Sequence, residues 1–122
     1  MKGVLYNLNL ETYELSKKII DTICNKKVVK VDLLDVGEVT SLAEAFIIAV
    51  ASNTKQTQAM TDDIEEKLIQ DGVYTIRKEG YQTANWILLD YGNIIVHILD
   101  QEHATFYSLN RLWKDAKCVE SF

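Results

Sequence analysis

Apolar residues recur at helical spacing between Leu10 and Lys27, where Leu15, Ile19, Ile20 and Ile23 share one stripe, with Glu11 and Glu14 near the start and Lys26 and Lys27 near the end. Acids at the positive end of a helix dipole and bases at the negative end agree with that period, and the stretch predicts a first helix. The pattern then changes to alternation. Val29, Val31 and Leu33 alternate with Lys30 and Asp32, which predicts a strand over Val28 to Leu34, and Gly37, Thr40 and Ser41 punctuate the connection from Asp35 to Leu42. Ala45 to Ala51 is apolar without alternation, as a strand covered on both faces reads. Ser52-Asn53-Thr54 offers a cap for a helix running to about Asp71, with Met60, Ile64, Leu68 and Ile69 along one stripe, and Gly72 ends it at the usual left-handed position. The acids on its other side, Asp62, Asp63, Glu65 and Glu66, read most simply as a solvated face. Val73 to Lys78 is a further strand, and Glu79 to Asn85 a polar loop. His103 to Trp113 reads as a last short helix, with Phe106, Leu109 and Trp113 on one stripe and Tyr107 and Arg111 flanking it.

The strongest local signal lies between the polar loop and the last helix. Two apolar, β-branched-rich runs, Trp86 to Tyr91 and Ile94 to Asp100, flank Gly92-Asn93, a pair suited to a two-residue hairpin turn. That turn sets Asp90 opposite Ile95, Leu89 opposite Val96, Leu88 opposite His97, Ile87 opposite Ile98 and Trp86 opposite Leu99. Because successive strand residues point to opposite sides, one face carries Ile87, Leu89, Tyr91, Ile94, Val96 and Ile98 and should pack on the core. The other carries Trp86, Leu88, Asp90, Ile95, His97 and Leu99, where an acid and an imidazole stand among large apolar groups. This mixed face is the place to look for function.

The element order is α-β-β-α-β-β-β-α, which predicts an α/β or α+β fold with a mixed sheet of about five strands covered by helices. The strand, helix, strand succession from Phe46 to Lys78 predicts a parallel crossover within it. Spacing alone does not give the strand order. At 122 residues the chain, 1–122, reads as a single domain. No apolar run is long enough to span a bilayer and the N-terminus lacks a basic segment followed by an apolar one, so the expected location is the cytoplasm, with no membrane partner.

A formal net charge of −5, with Lys and Arg scattered, disfavours direct nucleic-acid binding but is compatible with a basic protein partner. Cys24 and Cys118 belong to no CxxC pattern and read as reduced, small apolar residues. With two histidines and no ligand-spaced cluster, no metal is expected. There is no GxSxG elbow, no Walker loop and no GxGxxG, so neither nucleophilic catalysis nor phosphate cradling is supported, and no cofactor is expected. Asp32 and Asp35 stand an odd number apart, which sends them to opposite faces of a regular strand. His97 as a buried structural histidine, and Trp86 and Trp113 as core residues, compete with any functional role for them.

Three segments together carry a family resemblance: Glu79-Gly80, then Trp86-Ile-Leu-Leu-Asp90-Tyr-Gly-Asn-Ile-Ile-Val-His97-Ile, then Phe106-Tyr107-Ser-Leu109-Asn-Arg-Leu112-Trp113-Lys-Asp115-Ala116. They closely resemble the ribosomal silencing factor family, RsfS, also called Iojap or YbeB. The resemblance extends upstream through Val31-Asp32-Leu-Leu-Asp35-Val and Phe46-Ile-Ile-Ala to Glu65-Glu66-Lys67-Leu68, nearly the whole chain. It implies a nucleotidyltransferase-like fold without the catalytic motif and a homodimer in isolation. It also implies binding to the large ribosomal subunit through ribosomal protein fourteen, which blocks joining of the small subunit and lowers translation.

On this reading the chain is not an enzyme. The partner-binding set is Trp86, Leu88, Asp90, Tyr91, His97, Leu99, Tyr107 and Trp113. Trp86, Leu88 and Leu99 would supply contact area and Asp90 would meet a Lys or Arg of the partner, while Tyr107 and Trp113 would serve either this surface or the dimer contact. Two alternatives stay open: a nucleotidyltransferase-type enzyme holding Mg²⁺ and a nucleotide with Asp32, Asp35 and Asp90, and a dimeric scaffold for another protein.

Overall fold

The computed structural model describes residues 9–106 and 117–121. Helix α1 spans Leu10–Cys24 and opens on Asn9, whose side chain accepts the Thr12 N–H at 2.9 Å. It stops short of the expected Lys27 because the chain turns at Asn25, and Lys26 reaches across to Asp63 of the second helix at 3.1 Å instead of serving the dipole. Strands β1 (Val28–Asp35) and β2 (Ala45–Ala51) follow, then α2 (Thr54–Gln70), capped by Asn53. The α2 stripe is Thr57, Met60, Thr61, Ile64 and Leu68, with Ile69 turned outward, and Gly72 takes the expected left-handed conformation (φ 77°).

Strand β3 is only Arg77–Glu79, shorter and later than the expected Val73 to Lys78. The residues before it belong to the helix exit: the Val73 N–H bonds Leu68 O, and the Thr75 hydroxyl donates to Glu65. Strands β4 (Trp86–Asp90) and β5 (Ile94–Asp100) form the hairpin in the expected register from Asp90 opposite Ile95 to Trp86 opposite Leu99. Gly92 takes a positive φ of 90° while Asn93 does not, and the Tyr91 N–H donates to Ile94 O at 2.9 Å across the two-residue connection. Helix α3 is Gln101–Phe106, so it begins earlier than expected, directly after β5, with Asp100 accepting the His103 N–H at 2.8 Å. The rest of the expected last helix, with Leu109, Tyr107 and Trp113, lies outside the described residues. A strand that the pattern did not predict, β6 (Lys117–Ser121), pairs with β1. Its five residues offer one branched apolar side chain, Val119, too little periodicity to register.

The described strands form one mixed sheet in the order β3-β4-β5-β2-β1-β6. Only β2 and β5 are hydrogen-bonded in parallel, while the other neighbours are antiparallel. β3 does run parallel to β2, as the crossover through α2 requires, yet β4 and β5 stand between them. The hairpin therefore fills the gap the crossover leaves, and this converts a short N-terminal sheet into a six-stranded one.

α1 and α2 cover one face. Ile19, Ile20 and Ile23 of α1 and Met60, Ile64 and Leu68 of α2 meet Ile87, Leu89, Val96 and Ile98, all fully buried. Each such side chain contributes roughly 1.5–3 kcal/mol, so this layer dominates the fold. The acids of α2 are not merely solvated. Asp63 pairs with Lys26, Glu65 with Lys78 and Thr75, and Asp62 accepts from the Tyr81 hydroxyl, tying the helix to its neighbours. No helix among the described residues is long and apolar enough to cross a membrane.

Candidate functional site

The opposite face of the sheet carries a smaller cluster: Leu34, Val36, Ile48 and Leu99, with Phe46, Trp86 and Ala104 packed against it. α3 packs on the β5 and β2 side of this face. Toward β3 and β4 the face presents half-buried Trp86, Leu88 and Asp90 beside exposed Arg77 and Glu79, which oppose Asp90 and Leu88 in register.

Trp86 begins β4, and its backbone is fixed from both sides. Leu99 pairs with it across the hairpin, and the Gly80 backbone lies so close that a β-carbon there would sit 2.2 Å from the Trp86 carbonyl oxygen. The loop supplying Gly80 is anchored to α2 through the Thr57 hydroxyl, which donates to Ala84 O at 2.7 Å, and through Gln58 Nε2, which donates to Tyr81 O at 2.9 Å. Ala84 itself is buried with φ 63°, a conformation that L-residues other than Asn and Asp rarely take. The polar loop thus acts as a rigid mount for the tryptophan.

The Trp86 indole Nε1 donates to His97 Nδ1 at 3.0 Å, and the two rings lie 5.8 Å apart. Phe46 of β2 meets the same imidazole edge-on at 4.7 Å. Sequence reasoning missed Phe46, since nothing in an unalternating strand says which ring will meet the hairpin. His97 is 6% exposed, and burial lowers its pKa from 6.5 to about 4. A pKa lower in the folded chain than in the unfolded one means that the unfolded chain binds the extra proton. The corresponding stability is fully present above about pH 6.5 and is lost as pH falls toward 4, about 3 kcal/mol in all. Thermal melts between pH 4 and 7 should show this loss, and His97→Leu should remove that component of it.

The expected set therefore divides. Trp86, Leu88 and Asp90 lie together on the mixed face. Leu99 is a correction: at 0% exposure it is the floor of the second cluster and offers no contact area. His97 lies beneath Trp86 and does not reach the surface as a contact group. Tyr91 falls on the helix-covered face, half-buried near the hairpin turn, and burial pushes its phenol up to about 12, opposed by the Thr75 hydroxyl. Asp90 Oδ1 accepts the Gly92 N–H at 2.8 Å, so part of this carboxylate closes the turn. Tyr107 and Trp113 lie outside the described residues.

The carboxylates invoked for a Mg²⁺-nucleotide site do not converge. Asp32 faces the open side and pairs with Lys30 at 3.4 Å, while Asp35 lies on the helix side with Oδ1 accepting the Gly37 N–H. Asp90 is on β4, with β5 and β2 between it and β1, a span of roughly 14 Å at ordinary strand spacing. Among the described residues Asp100, Glu102 and His103 do cluster, but the His103 ring and backbone N–H both turn to the Asp100 carboxylate, which the capping of α3 explains.

Comparison with known proteins gives a consistent answer. Residues 9–121 match the family model described as ribosomal silencing factor during starvation. The ribosomal silencing factor RsfS of Halalkalibacterium halodurans is 30% identical over 111 residues, 91% of this chain and 95% of that protein. That of Chromobacterium violaceum is 29% identical over 108 residues, 88% of each. A crystal structure of a Bacillus halodurans protein is similar with a TM-score of 0.75 at 28% identity, covering 83% of this chain and 94% of that one. A Chromobacterium violaceum crystal structure is similar with a TM-score of 0.74 at 26% identity, covering 88% of each.

Proposed function

The chain belongs to the ribosomal silencing factor family, and from that membership we propose that it binds the large ribosomal subunit through ribosomal protein fourteen and sterically blocks joining of the small subunit. The whole chain acts as one domain, without catalysis, in the cytoplasm. The observation that carries the reading is the β3–β4 side of the mixed face, half-buried among the described residues, where a tryptophan on a well-anchored mount stands beside Leu88 and the Arg77, Glu79 and Asp90 charges. An aromatic anchor with a charged rim suits a protein partner, and a net charge of −5 suits a basic one. The separation of Asp32, Asp35 and Asp90 speaks against the nucleotidyltransferase alternative.

Cosedimentation with separated ribosomal subunits tests the proposal. The protein should travel with the large subunit and not the small one, and bound large subunits should fail to form whole ribosomes. Protein that stays in the supernatant of the large subunit at physiological salt would refute it.

When free, the chain forms a homodimer on this reading. Leu42, Tyr74 and Ile76 are 65–73% exposed, and two of them flank the hairpin turn: Asn93 O accepts the Glu44 and Ala45 N–H groups of the loop carrying Leu42, and Ile76 lies against Gly92. Apolar area of this kind is what a self-contact covers. Light scattering at tens of micromolar should report twice the chain mass, and a purely monomeric solution would count against it.

A further inference from the structure

We propose that His97 is a positioning residue for the partner-binding face, its Nδ1 holding the Trp86 indole in the orientation that a partner meets. The inference rests on the reading of Trp86 as an anchor. An indole nitrogen only donates, so the 3.0 Å contact makes Nδ1 the acceptor and places the imidazole proton on Nε2.

The two residues are diagonal neighbours. Leu88 opposes His97 and Trp86 opposes Leu99, and only long or aromatic side chains span that diagonal. The imidazole is held in turn: Phe46 closes on it at 4.7 Å with the rings 63° apart, and Ile48 stands beside it in the parallel register. Trp86, half-buried, is thereby steered by a group that is itself enclosed and 6% exposed. Burial also keeps the ring neutral near pH 7, the state in which Nδ1 accepts.

A leucine would fill this place in the apolar cluster without burying a polar ring, and what histidine adds is the acceptor. An anchor held in its bound rotamer loses less freedom on association, which amounts to about three- to tenfold in affinity for one side chain.

Two variants separate this role from packing. His97→Leu keeps most of the volume and removes the acceptor, while His97→Asn gives up volume and keeps an acceptor in Oδ1. Three quantities are measured on each full-length chain: affinity for isolated large ribosomal subunits, melting temperature, and the ¹⁵N–¹H indole resonance of Trp86, assigned as the one lost in Trp86→Phe. His97→Leu should melt at or above wild type, bind about three- to tenfold more weakly, and show the indole proton shifted upfield and exchanging faster. His97→Asn should melt lower yet bind close to wild type with the indole resonance little moved.

An unmoved indole resonance in His97→Leu overturns the inference, as does affinity that follows melting temperature in both variants. If wild-type protein itself does not bind the large subunit, the functional reading fails instead. The indole shift and exchange in His97→Leu then still decide whether His97 positions Trp86.

Discussion

Gly80→Ala is expected to destabilise the fold by about 3 kcal/mol or more and to lower the melting temperature by roughly 10 °C. Two costs combine at this position. The backbone has φ 79°, where a β-carbon is disfavoured by about 1–2 kcal/mol. The new methyl would also lie 2.2 Å from Trp86 O and 3.2 Å from Trp86 C, backbone atoms held in the hairpin ladder that cannot swing aside as a side-chain tip would. Gly72 is the natural control. It has nearly the same φ, 77°, but nothing lies within 4 Å of its would-be β-carbon, so Gly72→Ala should carry only the conformational cost. Chemical denaturation of the two variants side by side measures the difference, and equal losses would show that the approach to Trp86 is not tight. A folded Gly80→Ala should also bind large subunits more weakly, because the mount of Trp86 must shift to admit the methyl.

Trp86→Ala is expected to weaken binding to the large subunit thirtyfold or more, the effect of about 2 kcal/mol or greater that truncating an interface anchor produces. Its effect on stability should be intermediate. The indole is half-buried and packs on the cluster of Leu34, Val36, Ile48 and Leu99, so some stability is lost, but less than the about 3–5 kcal/mol of a fully buried aromatic. Binding must therefore be measured at a temperature where circular dichroism shows the variant folded. Asp90→Asn is the companion. Asparagine retains an oxygen for the Gly92 N–H, so the turn stays closed and only the charge is removed. Its affinity should fall less, with most of the loss at low salt, where a rim charge acts on the association rate. A Trp86→Ala chain that is folded and binds normally would remove the face from consideration.

The hairpin was legible to the residue because its information is local: Gly92 permits the turn, and a period of two then assigns every side chain from Trp86 to Leu99 to a face. The helix stripes were legible for the same reason apart from Ile69, which points outward, and within Ser52-Asn53-Thr54 it is Asn53 that caps, with Gly72 as terminator. Strand β3 was misplaced because Val73 to Ile76 is β-prone in composition but is claimed by the exit of α2 through Leu68 and Glu65, contacts that local propensity does not contain.

What the sequence determined by itself is most of the elements, the two-faced character of the hairpin and, through the resemblance of the Glu79-Gly80, Trp86 to Ile98 and Phe106 to Ala116 segments, the family. Tertiary structure decided the strand order, the sixth strand, and which members of the mixed face reach the surface. Alternation says only that Trp86, His97 and Leu99 share a side. Their exposure depends on what lies over and beside each one: Leu99 is sealed among Leu34, Val36 and Ile48, His97 is enclosed by Phe46 and Trp86, and Trp86, on the strand next to β3, stays half-buried. Apart from Trp86, those neighbours come from β1, β2 and the residue after β1, about fifty or more residues away in sequence, and a pattern of period two has no means of recording contacts at that distance.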